Sequence, residues 1–426
     1  MLRNMKSRRS FLKSTAAAGI FAPAIISAKP NSKISVACIG PRRRGNSVMR
    51  SFAANSDCAI THICDVRDDV LDVRGREMKE ATGLDPKRVK DYRQLLDDPS
   101  IDAFMVATPD HWHAMLTIEG CRAGKDVYVE KPASHNILEG KVAVEMAHKH
   151  DRMVQMGTQI RSAPFLKEAR AYVESGAMGR VITGKSWETA TTRAVHLKPD
   201  TKVPTGIDYE MWLGPAPYRK YNPSIVELEW RWLFDYGTGD LGNDGVHRVD
   251  YCRYIMGLDD FPQAVNASGG KLYHDDDQEW PDTLFVNYEY PKAIVQYEMR
   301  LWSRPHLHGS ETGAAIYGEN GWMLVTNRSW TAYDAKGKVV KSGQSGIGQT
   351  EHIRNFLDAV KSRKRDSLNQ EILSGHISSA MCHMGNIAWR TGKRLKFDAN
   401  TQTFDDAEAN KLVGRAHRKG FELPSV

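Results

Sequence analysis

Ile34-Ser35-Val36-Ala37-Cys38-Ile39-Gly40-Pro41-Arg42-Arg43-Arg44-Gly45-Asn46 decides the fold. The run to Ile39 is apolar and β-branched, as a short buried strand requires. Gly40 breaks it, and a helical pattern follows through Ala53. A strand that turns through glycine into a helix opens a nucleotide-binding βαβ unit. Gly40 and Gly45 match the ends of G-x-G-x-x-G, but Arg42 stands at the middle glycine. That glycine normally lets the backbone approach a pyrophosphate. An arginine there can contact phosphate instead, or can alter binding.

The pattern repeats outward from this stretch. The spacing predicts strands at Ala59–Cys64, Ala103–Ala107, Asp126–Val129 and Met153–Met156. Between them it predicts helices at about Asp69–Thr82, His113–Ala123 and Ile137–Lys149, with a helical turn near Tyr92–Leu96. Such alternation implies a parallel sheet. Asp65 ends the second strand, 20 residues after Gly45, where an acid bonds the adenosine ribose. It favours NAD; Arg67 and the Arg42–Arg44 cluster leave NADP open. Two other strand ends carry polar groups, Thr108-Pro109-Asp110-His111-Trp112-His113 and Glu130-Lys131-Pro132. Ligands of open α/β sheets bind beyond such ends, and Lys131 suits an acid–base role. Asp110, His111 and His113 are too closely spaced for a metal set, so no metal is expected.

The second half reads differently. Residues 199–236 are rich in Pro and aromatics, including Trp212, Tyr218, Tyr221, Asn222, Trp230, Arg231, Trp232 and Tyr236. Trp230, Arg231 and Tyr236 are the expected substrate contacts, the other aromatics being mainly packing. Strand-like runs at Thr283–Tyr290, Ala293–Trp302, Ala314–Tyr317 and Met323–Val325 imply an antiparallel sheet with one covered face. His306 and His308, near Arg304, are further candidates for the site. Asp275-Asp276-Asp277 reads as a solvated turn. Helices at Glu351–Val360 and Gly375–Asn386 close the chain.

The whole chain has 426 residues and a formal charge of +7, enough for two or three domains. No apolar run reaches the roughly 18 residues of a membrane span, which excludes a multi-pass membrane protein. The charge is local. Residues 1–28 hold Arg3, Lys6, Arg8, Arg9 and Lys13 and no acid; removing those five from the 59 Lys and Arg leaves 54 against 52 Asp and Glu. A nucleic-acid partner is therefore not expected. Ser7-Arg8-Arg9-Ser10-Phe11-Leu12-Lys13, an Ala-rich apolar stretch and Ile26-Ser27-Ala28 have the order of an export signal, and the paired arginines resemble a twin-arginine signal. The expectation is a periplasmic or secreted protein, not membrane-embedded once cleaved, with the export machinery as a partner. The six cysteines form no C-x-x-C pair and read as buried thiols.

Glu130-Lys131-Pro132 on the fifth strand, after a Thr-Pro-Asp-x-x-His loop on the fourth, resembles the glucose–fructose oxidoreductase / inositol dehydrogenase (Gfo/Idh/MocA) family. The resemblance covers about residues 34–424. It implies that Lys131 lies beside the nicotinamide and the substrate hydroxyl. Val154-Gln155-Met156-Gly157-Thr158-Gln159 resembles the domain exit of exported members. Gly237-Thr238-Gly239-Asp240-Leu241-Gly242-Asn243-Asp244-Gly245-Val246-His247 resembles the family's catalytic helix, in which an Asp four residues before a His accompanies the proton shuttle. His247 matches; Asn243 stands at the Asp position and Asp244 is one residue later. On an α-helix both would lie near the imidazole, and only Asp244 could stabilise its charged form. The last helices resemble segments that pack back onto the nucleotide domain.

The expected fold is therefore α/β: an N-terminal doubly wound Rossmann sheet, residues 33–157, and a C-terminal α+β substrate and oligomerisation domain, residues 158–400, with a large, mainly antiparallel open sheet. Residues 401–426 are expected as a tail on the body. The expected cofactor site comprises Gly40, Pro41, Arg42, Arg43, Arg44, Gly45, Asp65, Thr108, Pro109, Asp110, His113, Glu130, Lys131 and Gln159. Lys131, His247, Asp244 and Asn243 are the expected catalytic set; His247 also touches substrate. The expected activity is hydride transfer between tightly bound NAD, with NADP open, and a sugar, glycoside or cyclitol hydroxyl, in a homo-oligomer. The alternatives are an NAD-dependent glycosidase working by transient oxidation and elimination, and a non-catalytic exported sugar-binding protein.

Overall fold

The computed structural model describes residues 33–303 and 306–425. The leader and Arg304 lie outside them. From Lys33 onward the chain alternates: β1 Ile34–Ile39, α1 Arg44–Ala53, β2 Cys58–Cys64, α2 Asp68–Thr82, β3 Lys87–Val89, α3 Arg93–Leu96, β4 Ala103–Val106, α4 Asp110–Arg122, β5 Asp126–Val129, α5 Ile137–Lys149 and β6 Val154–Met156. The strands form one parallel sheet in the order β3-β2-β1-β4-β5-β6. β1, β4 and β5 are buried along their whole length, as strands covered on both faces must be. Register then places the site. Ile39 pairs with Cys64 and with Val106, and Val106 with Val129, so these strands end level. Gly40, Asp65, Thr108 and Glu130 leave the sheet along one edge, at the switch between β1 and β4 where doubly wound sheets bind ligands.

The second half continues with α6 Pro164–Glu174, β7 Val181–Thr189, α7 Tyr209–Leu213, α8 Pro223–Glu227 and α9 Val246–Ile255. A hairpin-rich stretch follows: β8 Ala264–Gly270, β9 Thr283–Tyr290, β10 Ala293–Arg300, β11 Thr312–Gly318, β12 Gly321–Val325, β13 Ser329–Asp334 and β14 Val339–Gln344. The chain ends with α10 Gln349–Ser362, α11 Ile372–Thr391, β15 Leu395–Asp398, β16 Thr403–Phe404 and α12 Ala407–Asn410. These strands form a second sheet, β14-β13-β12-β11-β7-β10-β9-β8-β15-β16. Its strand pairs are antiparallel except β7–β10. α9 and α11 cover one face. Phe285, Ile294 and Tyr317 are exposed.

A buried ion pair fixes the segment after β6 to α9. Arg161 donates to both oxygens of Asp250 at 2.9 and 3.0 Å, and Gln370 and Ser378 complete that carboxylate at 2.8 and 2.6 Å. Burial opposes ionisation of Asp250, yet Arg161, Arg253 and Ser378 hold it below the usual carboxylate range. The final residues lie over α5: Leu138 N–H donates to Val413 at 2.9 Å, and Arg415 to Glu139 at 2.7 Å. All six cysteines are free and buried.

Candidate active site

An open cleft runs along the carboxyl edge of the parallel sheet and is roofed by residues 226–231 of the second half. Its two ends differ in chemistry.

At one end stands Lys131, two residues beyond β5. Its ammonium donates to the Asn243 carbonyl at 2.6 Å and to Asn243 Oδ1 at 2.9 Å. Asp244 Oδ1 is 3.8 Å away. Asn243 and Asp244 belong to a π-helical turn, Leu241–Gly245, that leads into α9. His247 sits in the first turn of α9, and its Nδ1 is buried with no partner. The expected support of the imidazole by residue 243 or 244 is corrected here: among the described residues neither bonds it. α-Helical spacing would bring both near the ring, whereas the wider π turn carries both side chains toward Lys131. Burial, followed by the charges of Lys131 and Arg248, holds the His247 pKa well below its ordinary value, so the ring is neutral.

Three residues behind this pair escaped the sequence reading. Asp240 is buried and one of its carboxylate oxygens has no partner. Burial, with Asp244 and Glu188 nearby, pushes its pKa up. Glu188 is pushed to about 7, mainly by burial, against the pull of Arg248. Arg248 donates to Glu188 at 2.9 Å. Asp240 lies seven residues before His247, two turns, which was the available signal; Glu188 offered none, being distant in sequence.

At the other end lies the Gly40–Gly45 loop. Gly40 has φ +78°, and a Cβ there would stand 2.8 Å from the Ala107 carbonyl. A Cβ on Gly45 would be 2.0 Å from the Gly40 carbonyl. Only glycine fits either place, and the bare loop leads into the α1 N-terminus, where backbone N–H groups attract phosphate. Arg43 is exposed on the cleft wall and has no ion-pair partner among the described residues. Asp65 accepts the Arg67 N–H at 3.1 Å. Burial raises its pKa to about 7, the state of a carboxylate short of donors, which a ribose diol would supply. Pro41, Pro109 and Thr108 complete the turns. These residues fit a dinucleotide.

Other expected site residues serve one another. Arg44 donates to Glu130 at 2.9 Å, Gln349 at 2.7 Å and Gln159 at 3.4 Å, so its guanidinium is committed to holding the Glu130-Lys131 turn. His113 bridges the carbonyls of Pro132 and Thr108 at 2.7 and 2.8 Å. Asp110 accepts from Thr238 at 2.8 Å. His111 instead faces the carbonyls of Trp212 and Tyr236, away from Asp110. Among the described residues there is no group of three or more potential metal ligands.

Of the expected substrate contacts, Trp230 and Arg231 line the cleft, joined by Trp212. Tyr236 is corrected: it is fully buried between Trp212 and His111, its hydroxyl on the Pro217 carbonyl. It packs because its whole ring finds apolar cover. His306 bonds Thr189 at 3.1 Å and His308 lies beside Trp187 and Trp322; neither lines the cleft.

Comparison with known proteins gives the family and the fold. Residues 34–158 match the model "Oxidoreductase family, NAD-binding Rossmann fold", and residues 167–423 match "Oxidoreductase family, C-terminal alpha/beta domain", the two Gfo/Idh/MocA models. A myo-inositol 2-dehydrogenase of Thermotoga maritima is 32% identical over 79% of this chain and 85% of its own. A glycosyl hydrolase family 109 protein of Saccharopolyspora erythraea is 30% identical over 42% of this chain and 45% of its own. A dehydrogenase of Bordetella pertussis, solved with NADH and UDP-GlcNAcA, superposes with a TM-score of 0.65 at 19% identity, over 86% of this chain and 99% of that one.

Proposed function

The chain belongs to the Gfo/Idh/MocA oxidoreductase family, with that family's NAD-binding Rossmann domain, and from this premise we propose that it oxidises a secondary hydroxyl of a sugar, glycoside or cyclitol. The observation that carries this is Lys131, held by Asn243 at the end of the same cleft that contains the Gly40 loop and Asp65; His247 does not line that cleft but lies near enough behind it for the Lys131 charge to lower its pKa. Bound NAD supplies the hydride acceptor. The protein supplies the rest. His247, neutral and unpartnered at Nδ1, accepts the hydroxyl proton. Lys131, fixed by two hydrogen bonds to Asn243, points its remaining donor capacity at the oxygen whose charge develops. Trp230 and Arg231 orient the sugar from the roof. A panel of free sugars and cyclitols, followed by nicotinamide absorbance, tests this; Lys131→Met and His247→Asn should abolish the signal while nucleotide binding persists.

A second reading has two observations in its favour. Lys131 is held by Asn243 where the family's catalytic helix carries an acid, and a glycosyl hydrolase family 109 protein is among the relatives. In it Lys131 and His247 would serve the transient oxidation of a sugar carbon, with bound NAD as the hydride acceptor; the aglycone would leave by elimination, water would add in its place, and the hydride would return to the carbonyl, so no net redox change is seen. Cleavage of a glycoside that requires bound nucleotide but leaves it unreduced selects this reading.

We further take the leader to direct twin-arginine export, which would place a tightly held nucleotide in the periplasm. Fractionation of cells carrying wild-type and Arg8→Lys/Arg9→Lys chains tests it: loss of the periplasmic form is expected. The exposed Phe285, Ile294 and Tyr317 are the proposed contact with a second copy.

A further inference from the structure

Residues from the second half close over the adenosine end of the cleft, and one of them is an acid. Glu227, the last residue of α8, faces the arginines beside Asp65. Arg42 donates to Glu227 Oε2 at 2.6 Å, and Arg67 donates to Glu227 Oε1. Arg67 is also held by both oxygens of Asp69, at 2.9 and 2.7 Å. Lys90, on the same wall, pairs with Asp68 at 2.9 Å. Burial works against ionisation of Glu227, yet Arg42 and Arg67 hold it below the ordinary carboxylate range.

Arginines next to the ribose acid are the usual means of accommodating a 2′-phosphate. Here Arg42 and Arg67 are present but spoken for. Glu227 gives one oxygen to each guanidinium, as two oxygens of a phosphate would. We propose that Glu227 is the cofactor-specificity residue of this protein: it occupies Arg42 and Arg67 in place of a 2′-phosphate, so the cleft accepts NAD and rejects NADP. The proposal rests on the dinucleotide reading of the cleft. A 2′-phosphate must displace Glu227 from both arginines and then sit beside two carboxylates, Asp65 and Glu227. Repulsion of a like charge is one of the two ways a site discriminates between ligands. NAD, with a 2′-hydroxyl that donates to Asp65, leaves the triad intact.

Binding of NADH and NADPH to the nucleotide-stripped full chain, by titration calorimetry, tests this without reference to turnover. In Glu227→Gln the ratio of the NADPH to the NADH dissociation constant should fall by about tenfold or more, since one opposing charge is removed and Arg42 is released. Adding Arg42→Met should return most of that ratio. Glu227→Asp keeps the charge but is a methylene too short to hold both arginines. It should move the ratio the same way by less, and it serves if the Gln variant does not fold. An unchanged ratio in the Gln and Asp variants, or a gain that survives Arg42→Met, overturns the proposal. If folded wild-type protein binds neither nucleotide, the dinucleotide reading fails and the proposal falls with it.

Discussion

The two ends of the cleft solve opposite electrostatic problems. At the adenosine end the second half of the chain delivers an acid, and Arg42, Arg67 and Glu227 satisfy one another across the opening. At the chemical end Lys131 meets an amide and a backbone carbonyl at hydrogen-bond distance, while Asp244 stands off at 3.8 Å, and the His247 ring is left neutral and unpartnered. One end consumes its charges in holding and choosing a nucleotide. The other keeps a cation and a base available for a substrate hydroxyl. The difference shows how one groove can hold a nucleotide without blunting its reactive groups: at one end the charges close on one another, and at the other the ion pairs Arg44–Glu130 and Arg248–Glu188 leave Lys131 to an uncharged partner.

The comparison breaks most visibly if the chemical end is removed. Lys131→Met and His247→Asn should each lower kcat by about 10²- to 10⁴-fold, the usual worth of a positioned acid–base group, with nucleotide still bound on mass spectrometry. A loss of nucleotide binding instead would mean that the ends are not separable. The next effect lies in the loop. Gly45→Ala places a methyl 2.0 Å from the Gly40 carbonyl. Relieving that overlap moves the Gly40–Gly45 backbone away from where it would meet the pyrophosphate, which should weaken NAD binding by roughly ten- to a hundredfold, about 1–3 kcal/mol, in a calorimetric titration.

The pH dependence sharpens the contrast further. Burial raises the pKa of Asp65 to about 7, with Arg42 and Arg67 pulling down and Asp69 pushing up. Ribose hydroxyls donate to the ionised form, so NAD binding releases a proton from Asp65 below that pH. Affinity should therefore rise with pH, by up to about tenfold per unit below 7, and level off above it. In the empty protein the sign for stability is reversed: between about pH 4 and 7 Asp65 ionises in the unfolded chain but stays protonated in the folded one, so stability falls as pH climbs through that window, and nucleotide restores it. Calorimetry in buffers of different ionisation enthalpy measures the released proton, and Asp65→Asn should abolish it. The smallest effect is expected at Asn243→Asp, which exchanges a neutral partner of Lys131 for a charged one. It should shift the pH profile of kcat to higher pH and change kcat at its optimum by only a few-fold.

Much of this was legible in the amino-acid order. The parallel sheet shows itself because Ile34–Ile39, Ala103–Val106 and Asp126–Val129 are continuous buried runs, each followed by a polar turn. β3 escaped because Lys87-Arg88-Val89 is a three-residue edge with two exposed cations. In the second sheet β9 and β10 stand out by alternation, whereas β7 carries Gly184, Lys185 and Ser186 and β14 is exposed almost throughout. Lys131 was readable because its motif ends a strand. Glu227 was not: it lies in a five-residue helix, 185 positions from Arg42, and only the closure of one half over the other brings them together. Asn243 neighbours Lys131 and not the imidazole, which α-helical spacing could not foretell because a π turn leaves no clear mark in residue type.

The most direct test of the central claim is the nucleotide content of the purified, folded chain, released by denaturation and identified by mass spectrometry. NAD near one equivalent, with little or no NADP, is the predicted result. A protein that releases no nucleotide and binds none when it is supplied would contradict a hydride-transfer function for this cleft.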